Sequence, residues 1–353
     1  MIILLAYLSA AMCDATAQIA VDKACVPDTI ASICVSDTAY AAGEKEGIFP
    51  SLRWHDIKPM AARVATSVAI SSLAKWAIVD VMKDKIHSMR PDRSDNSSMP
   101  SRHAAWAYGI ATTASNYLVP YSPFWGLGAH VAASAVGFQR VIDHHHYPGD
   151  VLAGAGIGIG TSLLSDQVSR LIFRAPSDYR FPKKIESATS LSFSTGAAFP
   201  IEKRFGDLNL GSSLISELTF STEVNDPWTV SGVLYMQTAP LKCEGYYLGV
   251  LTHIGAGAGG GYSCPLGDTP LVFSASASAG VRYAFAPKHI EVRRLSPYAD
   301  VSVRLDLHLT GRFTVGAETG YTLSSLSIAH KGEPYRSRAV SSVKCALVTI
   351  AHF

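Results

Sequence analysis

The stretch 299-ADVSVRLDLHLTGRFTVGAETGYTL-323 decides how the second half of the chain folds. Val301, Val303, Leu305, Leu307 and Leu309 alternate with Ser302, Arg304, Asp306, His308 and Thr310. Beyond Gly311 the alternation resumes: Phe313, Val315, Ala317, Tyr321 and Leu323 stand against Arg312, Thr314, Glu318 and Thr322. A period of two gives a strand one apolar and one polar face, so these are two strands of a sheet with different surroundings on its two sides.

Working outward, the same period runs through Leu208, Leu210, Leu214, Leu218 and Phe220, with Asn209, Ser213, Glu217 and Thr219 on the other face. Counted from residue 187, candidate strands centre near residues 193, 214, 233, 250, 278, 303, 318 and 346. Eight is an even number and the smallest found in membrane-spanning barrels. In so narrow a barrel Arg282, Arg304, Asp306, Arg312 and Glu318 are expected to point inward as paired charges. The chain ends on Phe353, with Ala351, Leu347, Cys345 and Val343 on its face, and this ending resembles the C-terminal signature of bacterial outer-membrane barrels. The alternative is a soluble barrel of lipocalin type with the apolar face turned in.

The first half reads differently. From about residue 61 to residue 173, Ala, Leu, Ile and Val dominate with scattered glycines, and turn signals stand at Met89-Arg90-Pro91-Asp92, Val119-Pro120-Tyr121-Ser122-Pro123 and Tyr147-Pro148-Gly149. A spanning helix needs about 20 apolar residues. Pro120 and Pro123 cut the uncharged stretch 104–139 short, and Arg63 and Lys75 interrupt the segment before it. The reading favoured is a compact helical unit outside the bilayer, resting on a membrane surface; helices that span the bilayer are the alternative. The fold class is therefore α+β in two domains: an all-α helical bundle over 61–175, a linker at 176–186, and an antiparallel eight-stranded β-barrel over 187–353.

Ahead of the bundle, residues 1–17 read as a signal peptide, with an apolar run over 2–11 and Ala15-Thr16-Ala17 as a small-x-small cleavage pattern. Residues 18–60 form an N-terminal segment. Export permits disulfides; Cys25 with Cys34, and Cys243 with Cys264, are the candidate pairs, leaving Cys345 over, and free thiols are the alternative. The 353 residues carry a formal charge of only +2 and no basic tract, which argues against a nucleic-acid partner. No oligomeric state is read.

Chemistry is concentrated in residues 83–150. Three clusters stand in order: Lys83-x6-Arg90-Pro91, Pro100-Ser101-Arg102-His103, and Arg140-x5-His146-x3-Asp150. Phosphoryl transfer spreads negative charge over three oxygens, and Lys83, Arg90 and Arg140 supply a cationic clamp for it. Ser101, placed before an alanine-rich helix, adds a hydroxyl and the free N–H groups of a helix start, with Arg102 at the rim. His146 can attack phosphorus as a neutral imidazole, Asp150 can hold its other nitrogen, and His103 can protonate the leaving oxygen. The run His144-His145-His146 also invites a metal reading, but consecutive residues seldom converge on one ion.

These clusters resemble the type 2 phosphatidic acid phosphatase family, which includes bacterial acid phosphatases, lipid phosphate phosphatases and vanadium haloperoxidases. The resemblance covers about a third of the chain. It implies a phosphoric monoester hydrolase acting on phosphate monoesters, lipid phosphates or diphosphates through a phosphohistidine, with no metal or other cofactor. His146, His103 and Asp150 would be catalytic; Lys83, Arg90, Ser101, Arg102 and Arg140 would bind the phosphate. Arg102 stands where the family usually has Gly, and Gln139 where it has Ser. Joined to a barrel with an even strand count, such an enzyme is expected at the outer membrane, facing the periplasm. A vanadate-dependent haloperoxidase, or a structural barrel protein with an inactive phosphatase unit, are the alternatives.

Overall fold

A computed structural model describes residues 60–175, 181–185, 187–205, 207–288, 290–330 and 336–353. The signal peptide, the Cys25 and Cys34 pair and most of the 18–60 segment lie outside the described residues. Among the described residues four helices come first: α1 Ala61–Ile86, α2 Arg102–Leu118, α3 Pro123–Ile142 and α4 Pro148–Phe173. Each boundary has a local cause. Ser101 caps α2 by accepting from Ala104 N, and Pro123 and Pro148 occupy the first turns of α3 and α4, where a missing N–H costs nothing. His87 and Arg174 close α1 and α4 in the left-handed conformation, at φ 47° and 49°.

The helices alternate in direction. Ser169 Oγ of α4 donates to Arg63 O of α1 at 2.9 Å, and Ser101 N at the start of α2 donates to Asp150 O at the start of α4 at 2.9 Å. Helices α2 and α4 are pressed together at Gly154 and Gly158: a Cβ there would lie 2.3 Å from Ser101 O and from Ala105 O, respectively. Small residues at this four-residue spacing let two backbones approach closely.

Where α1 and α4 pack, the polarity is inverted. In α1 the buried residues are Ser67, Ser71, Lys75 and Val79, while Leu73, Trp76 and Val81 are 70%, 60% and 59% exposed. In α4, Ser162, Ser165, Asp166 and Ser169 are buried, while Leu164 and Leu171 are 69% and 78% exposed. Hydrogen bonds fill the interior, with Ser71 Oγ 3.0 Å from Ser162 Oγ and Arg170 Nε 2.7 Å from Asp166 Oδ2. Helix α1 is also long and apolar enough to cross a membrane.

The second half is an antiparallel barrel. Its long strands are β1 Thr189–Pro200, β4 Ser213–Asn225, β5 Trp228–Cys243, β6 Tyr246–Pro265, β7 Leu271–Phe285, β9 Leu295–Thr310, β10 Phe313–His330 and β11 Arg336–His352. Three short strands decorate it: β2 Arg204–Phe205, β3 Leu208–Leu210 and β8 Ile290–Val292. The expected strand over 208–220 is thus broken near Gly211, with β3 pairing to β5 instead of continuing into β4. Pairing of β1 with β11 (Ser190↔His352) and of β5 with β6 closes the cylinder, as the period-two segments led one to expect.

Alternation sorts the side chains as the quoted stretch implies. Val301, Val303 and Leu305 face out and are 54%, 42% and 46% exposed, whereas Asp300, Ser302 and Asp306 are buried in the lumen. There Lys344 Nζ lies 2.8 Å from Asp300 and Glu318 carboxylate oxygens and 3.0 Å from Glu217, and Arg304 pairs with Asp306 at 2.7 Å. Arg282 is buried too, with Nε 3.0 Å from Ser296 Oγ. Arg312 departs from expectation: it falls in the tight β9–β10 turn and is exposed. Toward the opposite end the lumen turns apolar, packed by Phe205, Leu208, Leu241, Leu251, Leu326 and Val340. The outward apolar face excludes the lipocalin-type arrangement.

Cys243 and Cys264 are free thiols. Cys243 sits in register with Tyr246 at one end of the β5–β6 hairpin, and Cys264 lies near the far end of β6. A 20-residue strand separates the ends, so no bridge between them is possible.

The bundle does not sit beyond the strand ends; it lies against the outer wall. Leu214, facing out from β4, is fully buried with Ala104, Tyr108, Phe138 and Val151 of the helices. Tyr108 Oη lies 3.1 Å from Thr195 Oγ1, and Ser134 Oγ 2.7 Å from Ser216 Oγ. Leu127 packs with Phe193 and Ala351 across the β1–β11 seam.

Candidate active site

All three sequence clusters meet where α1 and α3 end and α2 and α4 begin. The loop between α1 and α2 is stiffened by Asp92 and Asp95. Ser94 N and Oγ donate to Asp92 Oδ1 at 3.0 and 2.7 Å, and Ser97 N and Oγ donate to Asp95 Oδ1 at 2.8 and 2.7 Å. Arg90 Nε donates to the same Asp95 oxygen at 2.8 Å. The Ser97 hydrogen bonds, with help from Arg90, hold the Asp95 carboxyl down at about 2. Lys83 Nζ donates to the carbonyl of Ser97, tying the clamp lysine to the same loop.

His146 is 2% exposed and its Nδ1 lies 2.8 Å from the carbonyl oxygen of Ser98. A carbonyl only accepts, so Nδ1 carries the hydrogen and Nε2 keeps its lone pair. Burial lowers the ring's proton affinity to about 3, and the positive charges of Arg90, Lys83 and Arg140 add to the effect. His146 is thus a neutral imidazole with a free nitrogen at the focus of three cations.

Asp150 plays a different part from the one expected. Its Oδ2 is 3.9 Å from His146 Nδ1, beyond hydrogen-bond reach. Instead it accepts from Ser98 Oγ at 2.5 Å and from Tyr147 N at 2.8 Å. The carboxylate caps α4 and fixes the Ser98 peptide, which in turn holds the histidine. Ser98 is the residue that sequence reasoning missed: its decisive group is a backbone carbonyl, which no side-chain pattern announces.

Arg140 stands in the last turn of α3, and its buried Nε has no hydrogen-bond partner among the described residues. The residue as a whole is half-buried, and a guanidinium N–H enclosed in that state is suited to receive an anion. The charges of Arg140 and Arg90 also reach the exposed ring of His103, one residue into α2 after Arg102. Ser101 is fully buried at the N-cap, its hydroxyl committed to Ala104 N at 3.4 Å. Arg102 pairs its guanidinium with Asp80 of α1, so this side chain braces two helices, while its charge still reaches Lys83 and His103. Gln139 is exposed.

The histidine run diverges. His144 stacks edge-on against Tyr247 at 4.6 Å, His145 Nδ1 lies 3.2 Å from Asp92 Oδ2, and His146 turns inward to Ser98. Among the described residues no group of three His, Cys, Asp or Glu is placed to hold a metal ion.

A buried neutral histidine that feels the charges of Arg90, Lys83 and Arg140 thus sits on a helical bundle joined to a closed eight-stranded barrel. Residues 57–172, about a third of the chain, match the PAP2 superfamily. A lipid A 1-phosphatase of Porphyromonas gingivalis is 32% identical over 139 residues, which is 38% of this chain and 31% of that protein. The chain thus spans about a third of the length of this curated relative. Among solved structures, the outer membrane protein OprG of Pseudomonas aeruginosa is 13% identical over 48% of this chain and 98% of its own, with a TM-score of 0.36. Neisserial surface protein A is 12% identical over 47% and 98%, with a TM-score of 0.33.

Proposed function

We propose that the chain is a membrane-anchored phosphatase that removes phosphate from a lipid phosphate through a phosphohistidine at His146. The observation that carries this is the state of His146: buried, neutral, its Nδ1–H pinned by Ser98, its Nε2 free among Lys83, Arg90 and Arg140. In the first step Nε2 attacks phosphorus, the P–O ester bond breaks, and His103 gives a proton to the leaving oxygen. In the second, water attacks the phosphohistidine, His103 takes its proton, the P–N bond breaks and inorganic phosphate leaves. The three cations balance the charge that spreads over the phosphoryl oxygens in both steps.

The substrate class is argued from two sides. The relative's name is that of a lipid A 1-phosphatase. The barrel's outward Val, Leu and Phe side chains and its polar lumen suit an outer membrane, where lipid phosphates are at hand. Purified protein in detergent is expected to release phosphate from a phosphorylated lipid, with His146→Ala reducing release to background. No release by the parent chain on lipid phosphates, lipid diphosphates or soluble monoesters would point to an inactive domain.

A further inference from the structure

The two ends of the barrel differ. One end holds the first residue of β1 and the last of β11, together with the short connections 226–227, 266–270 and 311–312. The other carries the longer connections 201–212 and 286–294, together with 331–335 and the two-residue β5–β6 turn 244–245. Helix α3 links the two. At its start, Phe124 meets Phe353 at 5.3 Å. Just beyond its end, Tyr147 lies under Lys242 Nζ at 4.7 Å, and His144 meets Tyr247 at 4.6 Å, both at the β5–β6 turn. Its 20 residues rise about 30 Å, the thickness of a bilayer's hydrocarbon layer. The bundle therefore stands beside the barrel at the same height, with His146 level with the β5–β6 turn, at the end that carries the long connections. This departs from the expectation of an enzyme outside the bilayer at the end holding the chain termini.

What covers the bundle's flank follows from its polarity. Serines and charged pairs face inward, and Leu73, Trp76, Leu164 and Leu171 face outward, continuing the exposed apolar belt of Leu234, Val281 and Val301 on the barrel. Such an inverted flank on α1 and α4 is what lipid chains solvate. In membrane barrels the short turns lie on the periplasmic side and the long loops outside.

We infer that the helical bundle is embedded in the membrane beside the barrel, and that its phosphate site takes phosphorylated lipids from the outer, surface-facing leaflet. The inference rests on the phosphatase reading above. Arg93, which is exposed beside Tyr246 in the loop over the site, is a reporter outside the catalytic machinery. The test uses the full chain with its 6 cysteines replaced by serine, carrying Arg93→Cys, Lys288→Cys or Asp268→Cys, in intact Gram-negative cells. A membrane-impermeant maleimide is expected to label Arg93→Cys and Lys288→Cys directly, and Asp268→Cys only after the outer membrane is opened. Labelling of Lys288→Cys without Arg93→Cys overturns the placement of the site. Labelling of Asp268→Cys on intact cells, or of none of the three before opening, overturns the sidedness. Phosphate release by the same variants in detergent tests the phosphatase reading separately, since it does not depend on orientation.

Discussion

At the scale of single residues, the chain of contacts Asp150, Ser98, His146 decides how the nucleophile is prepared. Were Asp150 bonded to the ring directly, losing its charge would be expected to cost about 10⁴-fold, as in a triad with the wrong tautomer. Here the Ser98 carbonyl fixes the tautomer, so Asp150→Asn is predicted to lower kcat by only about 10- to 100-fold. Ser98→Ala, which keeps the carbonyl and loses the hydroxyl, should fall in the same range, and steady-state kinetics on both variants checks this. Arg140→Ala removes a donor whose Nε is left for the bound phosphate, and a loss of about 10²- to 10³-fold in kcat/KM is expected. The lowered proton affinity of His146 also makes stability depend on pH. The unfolded chain protonates this ring near 6.5, whereas the folded chain resists until about 3. Between those values the unfolded state binds the extra proton, so stability must fall as pH drops below 6.5. Melting temperatures from pH 7 to pH 4 should show a decline that His146→Gln makes shallower.

At the scale of elements, the strands were legible because burial on one side and exposure on the other write a period of two into 299–323. The helices were legible too, but their surroundings were not. Sequence shows apolar residues and hydroxyl residues mixed in α1 and α4; only packing reveals that the hydroxyls are inside. Arg102 makes the same point, since its partner Asp80 lies 22 positions away on another helix. Ser98 was invisible for the reason that a carbonyl belongs to every residue. The contact of α2 with α4 offers the sharpest test at this scale. Gly154→Leu places a side chain where even a Cβ would overlap Ser101 O, so the helices must part and Ser101, capping α2, must move. Loss of activity together with a lower helical melting temperature by circular dichroism is predicted, with Gly156→Leu, which faces open space, as the tolerated control.

At the scale of the whole molecule, the two halves form one body, and the barrel is a post, not a pore. Its lumen is filled at one level by the Lys344 cluster and at another by apolar side chains. Removing the cation at the centre leaves three carboxylates buried without it. Lys344→Met is therefore predicted to destabilise the barrel by about 3–5 kcal/mol, measurable by urea unfolding in detergent micelles. Neither the position of the bundle against the β1–β4–β11 wall nor the end at which the site opens could be read from patterns along the chain. Both depend on pairs such as Leu214 with Phe138, whose residues each looked like ordinary core.

The seam between β1 and β11 has a bearing on how the molecule comes together in time. It joins Ser190 to His352, the longest-range pairing in the sheet, and loop closure over such a separation is slow. The bundle draws on nearer neighbours along the chain and can assemble early. Helix α3, carrying Leu127, then offers a ready surface on which Phe193 arrives first and Ala351 last. The enzyme half thus serves as a mould for the strand pairing that completes its own anchor, and barrels expressed without residues 60–175 should close more slowly than the full chain.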